Sequence, residues 1–178
     1  MASFVPIRRL DHFAYRCRDA EETRHFYEDI LGLPLIHVIQ QDRVPSTQEY
    51  APHAHIFFRM TDGSCIAFFD LGDNEAAASS ANTPRWVNHL ALRVDSEAAL
   101  ATALEKLRGA GLEVLGPTDH GFIKSIYFFD PNGIRLELSA PANDLKPETL
   151  EAHARSAHAE LAEWNRGKHA RLAIAPVR

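Results

Sequence analysis

Hydrophobic and polar positions along the chain change period several times, and the changes come in the same order twice. Residues 8–17 (RRLDHFAYRC) alternate and are rich in β-forming side chains, which predicts a strand. Asp19 followed by Glu22 resembles a capping box, and Phe26, Tyr27, Ile30 and Leu31 then supply one helical face that stops at Gly32. Strands are expected next at 33–41 and 53–60. Asp62-Gly63 is a hairpin-turn signal, and residues 64–71 read as a fourth strand.

Residues 72–84 (GDNEAAASSANTP) are small, polar and aperiodic, so they read as a linker or mobile loop. After them the pattern restarts. A strand over 86–94, a helix from Ser96 to about 108 closed by Gly109 and Gly111, and strands over 112–115, 123–129 and 134–138 repeat the order β-α-β-β-β. The repeat holds residue by residue, with Leu10-Asp-His-Phe-Ala-Tyr-Arg16 pairing with Val87-Asn-His-Leu-Ala-Leu-Arg93 and Gly32 with Gly109. The same offset sets His12 against His89; the closing hairpins match at an offset seven residues smaller, which sets Ala67 against Glu137 and places the surplus in the loop 42–52.

The expected architecture is therefore one α+β domain over residues 1–178. It comprises two tandem β-α-β-β-β modules (8–71 and 85–140) joined by the 72–84 linker, forming a curved mixed sheet around a metal site. Beyond Pro141 the pattern ends. Pro147 opens an amphipathic helix over 147–166, with Leu150, Ala154, Ala157, Leu161 and Trp164 on one stripe and Gly167 as its stop. That stripe fits a patch on its own domain or a groove on a second copy in a homodimer equally well.

A length of 178 residues with 46% hydrophobic and 24% charged side chains suits one globular domain and excludes a disordered chain. The net charge of −5 and the absence of any basic run argue against nucleic acid or an anionic membrane as partner. Cys17 and Cys65 sit in apolar segments outside any CxxC motif, which suits buried thiols in a reducing compartment. No apolar stretch reaches membrane-spanning length and the N-terminus lacks a leader pattern, so the expected location is cytoplasmic.

Two histidines at equivalent places change the chemistry expected of the fold. A lone strand histidine reads most simply as a core residue, but pseudo-twofold packing of two modules would point His12 and His89 into one shared cavity. Glu137, mid-strand between Leu136 and Leu138, adds an anionic oxygen. Two imidazoles and one carboxylate suit non-haem Fe(II) and leave coordination positions open, although Mn(II), Zn(II) or Ni(II) are held by the same groups. Ala67, at the place equivalent to Glu137, has nothing to donate. Arg16 and Arg93 each lie four residues past a candidate ligand, where they suit either a substrate carboxylate or ion pairs at a rim. Phenylalanines 57, 58, 68, 69, 122, 128 and 129 are available to line an aromatic pocket, though most must be core.

Paired modules carrying His12, His89 and Glu137 resemble the vicinal oxygen chelate superfamily over residues 8–140. That superfamily includes glyoxalase I, bleomycin and fosfomycin resistance proteins, methylmalonyl-CoA epimerase and the type I extradiol ring-cleaving dioxygenases. The stretch Thr118-x-His120, five residues, Ile126-Tyr127, two residues, Asp130-Pro131-x-Gly133, three residues, Glu137 is similar to the extradiol signature at each specified position. This resemblance implies a metal-dependent dioxygenase, with Fe(II) as the favoured ion and a catechol-like aromatic diol and dioxygen as substrates. It implies further that the Tyr127 hydroxyl bonds a catecholate oxygen while His120 assists at the metal; without it, Tyr127 reads as packing and His120 as a loop residue beside Gly121.

The chain departs from that pattern at Ser64, where the ring-cleaving enzymes carry a histidine acid/base, a role serine cannot fill near neutral pH. His55 on the neighbouring strand is the expected substitute, ahead of His53. Most such enzymes also have two double modules where this chain has one. A glyoxalase- or epimerase-like isomerase is the alternative, and a drug-sequestering binding protein a third, against which the intact His12, His89 and Glu137 argue.

Overall fold

The computed structural model describes residues 9–78, 80–143 and 146–174, without the side chains of residues 147 and 168–174. The expected strand start at Arg8 lies outside the described residues. Strand β1 (His12–Cys17) runs parallel to β4 (Cys65–Asp70); β3 (Tyr50–Arg59) pairs antiparallel with β4 and with β2 (Leu35–Arg43), giving the order β1-β4-β3-β2. The second half repeats this with β5 (His89–Arg93), β6 (Leu115–Asp119), β7 (Ile123–Phe129) and β8 (Arg135–Pro141) in the order β5-β8-β7-β6. The result is two four-stranded mixed sheets in an α+β fold.

Between β1 and β2 lies α1 (Ala20–Arg24), whose Asp19 cap accepts from the Glu22 N–H at 2.7 Å. It continues as a π-helical turn over His25–Ile30 rather than as the ordinary helix expected. In that turn Phe26 reaches Phe128 of the second sheet while the adjacent Tyr27 packs on Phe58 and Phe68 of the first, so consecutive aromatics serve both sheets. Gly32, at φ +74°, then turns the chain in the left-handed region that side chains disfavour.

In the second module α2 (Glu97–Gly109) is capped by Ser96, whose hydroxyl accepts from the Ala99 N–H. Strand β6 begins at Leu115, later than the expected 112. Leu112 instead returns its N–H to the Leu107 carbonyl at the helix exit, and Leu112 and Val114 pack against the core before ladder pairing starts at Leu115–Tyr127. Helix α3 (Pro147–Ile174) runs through the expected stop at Gly167; one interior glycine costs a helix only about 1 kcal/mol relative to alanine. Leu150 and Leu161 on its stripe are 48% and 58% exposed, so that face is not covered by the described residues of its own chain. No helix among the described residues is long and apolar enough to cross a membrane.

One hydrophobic core joins the modules. It draws Cys17, Ile56, Phe58, Ile66 and Phe68 from the first sheet, Ile126, Phe128, Leu136 and Ala140 from the second, and Phe26, Tyr27, Leu100 and Leu107 from the helical segments. A polar seam crosses the same boundary. The buried Asp130 carboxylate accepts from the Tyr27 hydroxyl at 3.1 Å and from the Asn132 and Ile134 N–H groups at 2.9 and 2.7 Å. Asn132 in turn accepts from the Arg18 N–H and donates to the Thr23 hydroxyl. The Asp-Pro-Asn-Gly turn thus docks the second module on the first, and burial raises the Asp130 pKa above the ordinary carboxylate range.

Candidate metal site

Ladder register places the two halves in correspondence at the level of individual residues. Glu137 pairs with Ala91 and Tyr127, and Ala67 pairs with Ala14 and Phe57, the same places in the two sheets. Strand side chains alternate between faces. Because Cys17, Ile56, Phe58, Ile66 and Phe68 enter the shared core, the opposite face of the first sheet carries His12, Arg16, Phe57, His55 and Phe69. By the same alternation the outer face of the second sheet carries His89, Arg93, Tyr127 and Glu137.

On the second sheet the expected residues come together. His89 Nε2 stands 3.1 Å from Glu137 Oε2. Its Nδ1 lies 2.9 Å from the Val87 carbonyl, which can only accept, so Nδ1 carries a proton and Nε2 is the nitrogen whose lone pair a neutral ring offers to a metal. Glu137 is 4% exposed, and its Oε1 accepts from the buried Ser125 hydroxyl at 2.5 Å. A lone pair and a carboxylate oxygen held face to face suit a cation between them. The donor set thus fits a divalent metal at two of the three expected positions.

His12 stands elsewhere. It lies on the first sheet with Nδ1 2.8 Å from Asp11 Oδ1 and its ring beside those of His55 and Phe57, at 6.0 and 5.5 Å between centroids. Among the described residues no group of three His, Cys, Asp or Glu side chains converges as a metal site. The shared cavity expected within one chain is therefore not formed, because both modules turn their inner faces to one core and their histidine-bearing faces outward.

Tyr127 and His120 form a pair at this site, with His120 Nε2 2.7 Å from the Tyr127 hydroxyl and the His89 ring edge-on to Tyr127. Burial and the nearby Glu137 charge raise the Tyr127 pKa, so its hydroxyl keeps its proton. His55 is stacked on Phe69 at 3.7 Å, and its Nε2 is buried without a hydrogen-bond partner. Burial, then the neighbouring His12, His53 and His37, pull the His55 pKa down to about 4. Ser64 gives its hydroxyl to Asp62 Oδ1 at 2.6 Å and is 2% exposed, a turn-holding role. Arg16 is paired with Asp73 and donates to the Glu75 carbonyl, an ion pair at the rim rather than an open cation. Ser125 is not singled out by its sequence context; its period-two spacing from Tyr127 is the signal that places it on the ligand face.

The family model for the Glyoxalase/Bleomycin resistance protein/Dioxygenase superfamily matches residues 9–138. Comparison with curated proteins gave no match. Among solved structures, a glyoxalase/dioxygenase from Nostoc punctiforme is 21% identical at a TM-score of 0.57, covering 80% of this chain and 100% of its own. The fosfomycin resistance protein FosX from Mesorhizobium loti is 23% identical at 0.53, covering 75% and 91%. A point mutant of FosX from Listeria monocytogenes, complexed with Mn(II) and 1S,2S-dihydroxypropylphosphonic acid, is 19% identical at 0.55, covering 78% and 97%. At these identities the likeness is one of fold.

Proposed function

The chain belongs to the Glyoxalase/Bleomycin resistance protein/Dioxygenase superfamily, and within it we propose a metal-dependent dioxygenase that opens a catechol-like ring beside its diol, at a site shared between two copies. The observation that carries this reading is the Tyr127–His120 pair set directly across the ladder from Glu137. His89 and Glu137 of one copy hold the metal together with His12 of a second. In favour of the second copy, His12 lies on an outward face and, paired only with the adjacent Asp11, belongs to no group of three candidate ligands among the described residues of its own chain.

Fe(II) bound there supplies a redox path between an aromatic diol and dioxygen. The residues do the remaining work. Tyr127 donates its hydroxyl proton to orient one diol oxygen, and His120 Nε2 takes or returns the proton at that hydroxyl. Ser125 keeps the Glu137 carboxylate turned toward His89. His55, its pKa pulled down to about 4, adds a neutral imidazole to the first-module face, where Phe57 and Phe69 form an apolar wall over its buried Nε2.

A second reading, a glyoxalase- or epimerase-like isomerase, is favoured by Ser64, which is tied to Asp62 and so offers no acid/base group there. Metal-stripped protein reconstituted with Fe(II), Mn(II), Zn(II) or Ni(II) separates the two. Oxygen uptake with a catechol panel under Fe(II) or Mn(II) but not Zn(II) supports ring cleavage. Turnover of a hemithioacetal with Zn(II) or Ni(II), without oxygen uptake under iron, supports the isomerase.

A further inference from the structure

Beside the ligand face lies a cavity of about 600 Å³, where Ala77, Ala78, Ser80 and Thr83–Arg85 meet the Asn132–Arg135 end of the second sheet. Tyr15, Arg85, Asn88, Phe129 and Arg135 are among the side chains that line it, and no Asp or Glu does. In a chain of net charge −5, the cavity thus has two arginines and no carboxylate in its described lining. The Arg85 guanidinium stacks over the Phe129 ring at 4.4 Å and that of Arg135 over the Tyr127 ring at 4.0 Å. Arg135 also donates to the Trp86 carbonyl at 2.6 Å. Among the described residues, neither arginine forms an ion pair with a carboxylate.

Tyr127 and Phe129 lie two residues apart on one face of β7, about 7 Å along the strand, so the two guanidiniums stack on neighbouring rings of one strand. Stacking fixes each guanidinium plane while leaving N–H groups free at its edge. One oxyanion can bridge such a pair through charge-assisted bonds of about 2.7–2.9 Å on either side. Ser80, Asn82 and Thr83 bond among themselves and hold the loop edge of the cavity in shape.

We propose that Arg85 and Arg135 form an oxyanion-binding pocket for a small molecule bearing a carboxylate or phosphate, adjoining the Tyr127 side of the metal site. The pocket rests on the arginine geometry and not on the dioxygenase reading. Arg135 pairs in the ladder with His89 and touches Tyr127, so a ligand's anionic group seated here directs the rest of it toward Glu137.

Calorimetric titration of the full-length protein after chelation, with inorganic phosphate, benzoate and benzamide as probes, tests this. Working without metal keeps the outcome independent of the proposed catalysis. Saturable binding of benzoate or phosphate, absent for benzamide, is expected, weakened about tenfold or more by Arg85→Gln or Arg135→Gln and by added salt. Phosphate binding as tight as benzoate marks a site for the oxyanion alone, and tighter benzoate marks one that also reads the ring; both support the pocket. Circular dichroism on each variant separates lost binding from lost fold, and Arg85→Lys, which keeps the charge, should recover part of the affinity. No saturable binding by the unaltered protein, or equal affinity in folded Arg85→Gln and Arg135→Gln, would overturn the proposal.

Discussion

His89 Nε2 and Glu137 Oε2 face one another across 3.1 Å, with Nδ1 of the same ring donating to the Val87 carbonyl. That arrangement predicts that Glu137→Ala abolishes most metal binding while the fold persists, since the carboxylate packs against a polar partner rather than filling the core. Ser125→Ala, which frees one carboxylate oxygen from its hydrogen bond, should weaken metal affinity about 10- to 100-fold. Metal content after dialysis, alongside thermal melts, checks both.

The Tyr127–His120 pair predicts a kinetic signature separate from metal loss. Tyr127→Phe and His120→Ala should each leave metal content unchanged and lower kcat by about 10²-fold or more if the pair moves a proton in the reaction. Their double variant should cost little beyond the larger single effect, because one hydrogen bond joins them. Steady-state rates at matched metal loading decide this.

Asp130 predicts a pH effect on stability. Its folded pKa is raised by burial, so the native state holds the proton more readily than the unfolded chain. The stabilisation linked to that proton is full below the unfolded pKa of about 3.9 and is lost as pH rises through the folded value. Asp130→Asn keeps an acceptor for the Asn132 and Ile134 N–H groups and should remove this slope with a small stability change. Asp130→Ala strands those donors and the Tyr27 hydroxyl, and should cost on the order of 2–3 kcal/mol. Urea unfolding of the three proteins from pH 4 to 8 tests the sign.

Much of the fold was legible in the sequence because the repeat is carried by local signals. The Asp62-Gly63 and Asn132-Gly133 turns, the Asp19 and Ser96 caps and the alternation in β7 and β8 each fix a short segment. Equivalence of His12 with His89 follows from spacing, and ladder register agrees with it. How the modules pack does not follow, since alternation gives two faces to each strand without saying which meets the helices. Phe26, Tyr27, Asp130 and Asn132 decide that, and the last two read only as turn residues in one dimension. The π-helical turn at His25–Ile30 and the ladder's late start at Leu115 likewise depend on contacts between distant segments.

If one metal is held by His89 and Glu137 of one copy and His12 of another, the site can be divided between two damaged chains and rebuilt. The most direct measurement is metal content of a heterodimer carrying His12→Ala in one differently tagged chain and Glu137→Ala in the other. Each variant alone should lack an intact site, whereas the purified heterodimer rebuilds one and should hold about one metal ion per two chains. A heterodimer with no more metal than either variant alone, or a His12→Ala protein that binds metal as the unaltered chain does, would contradict the account.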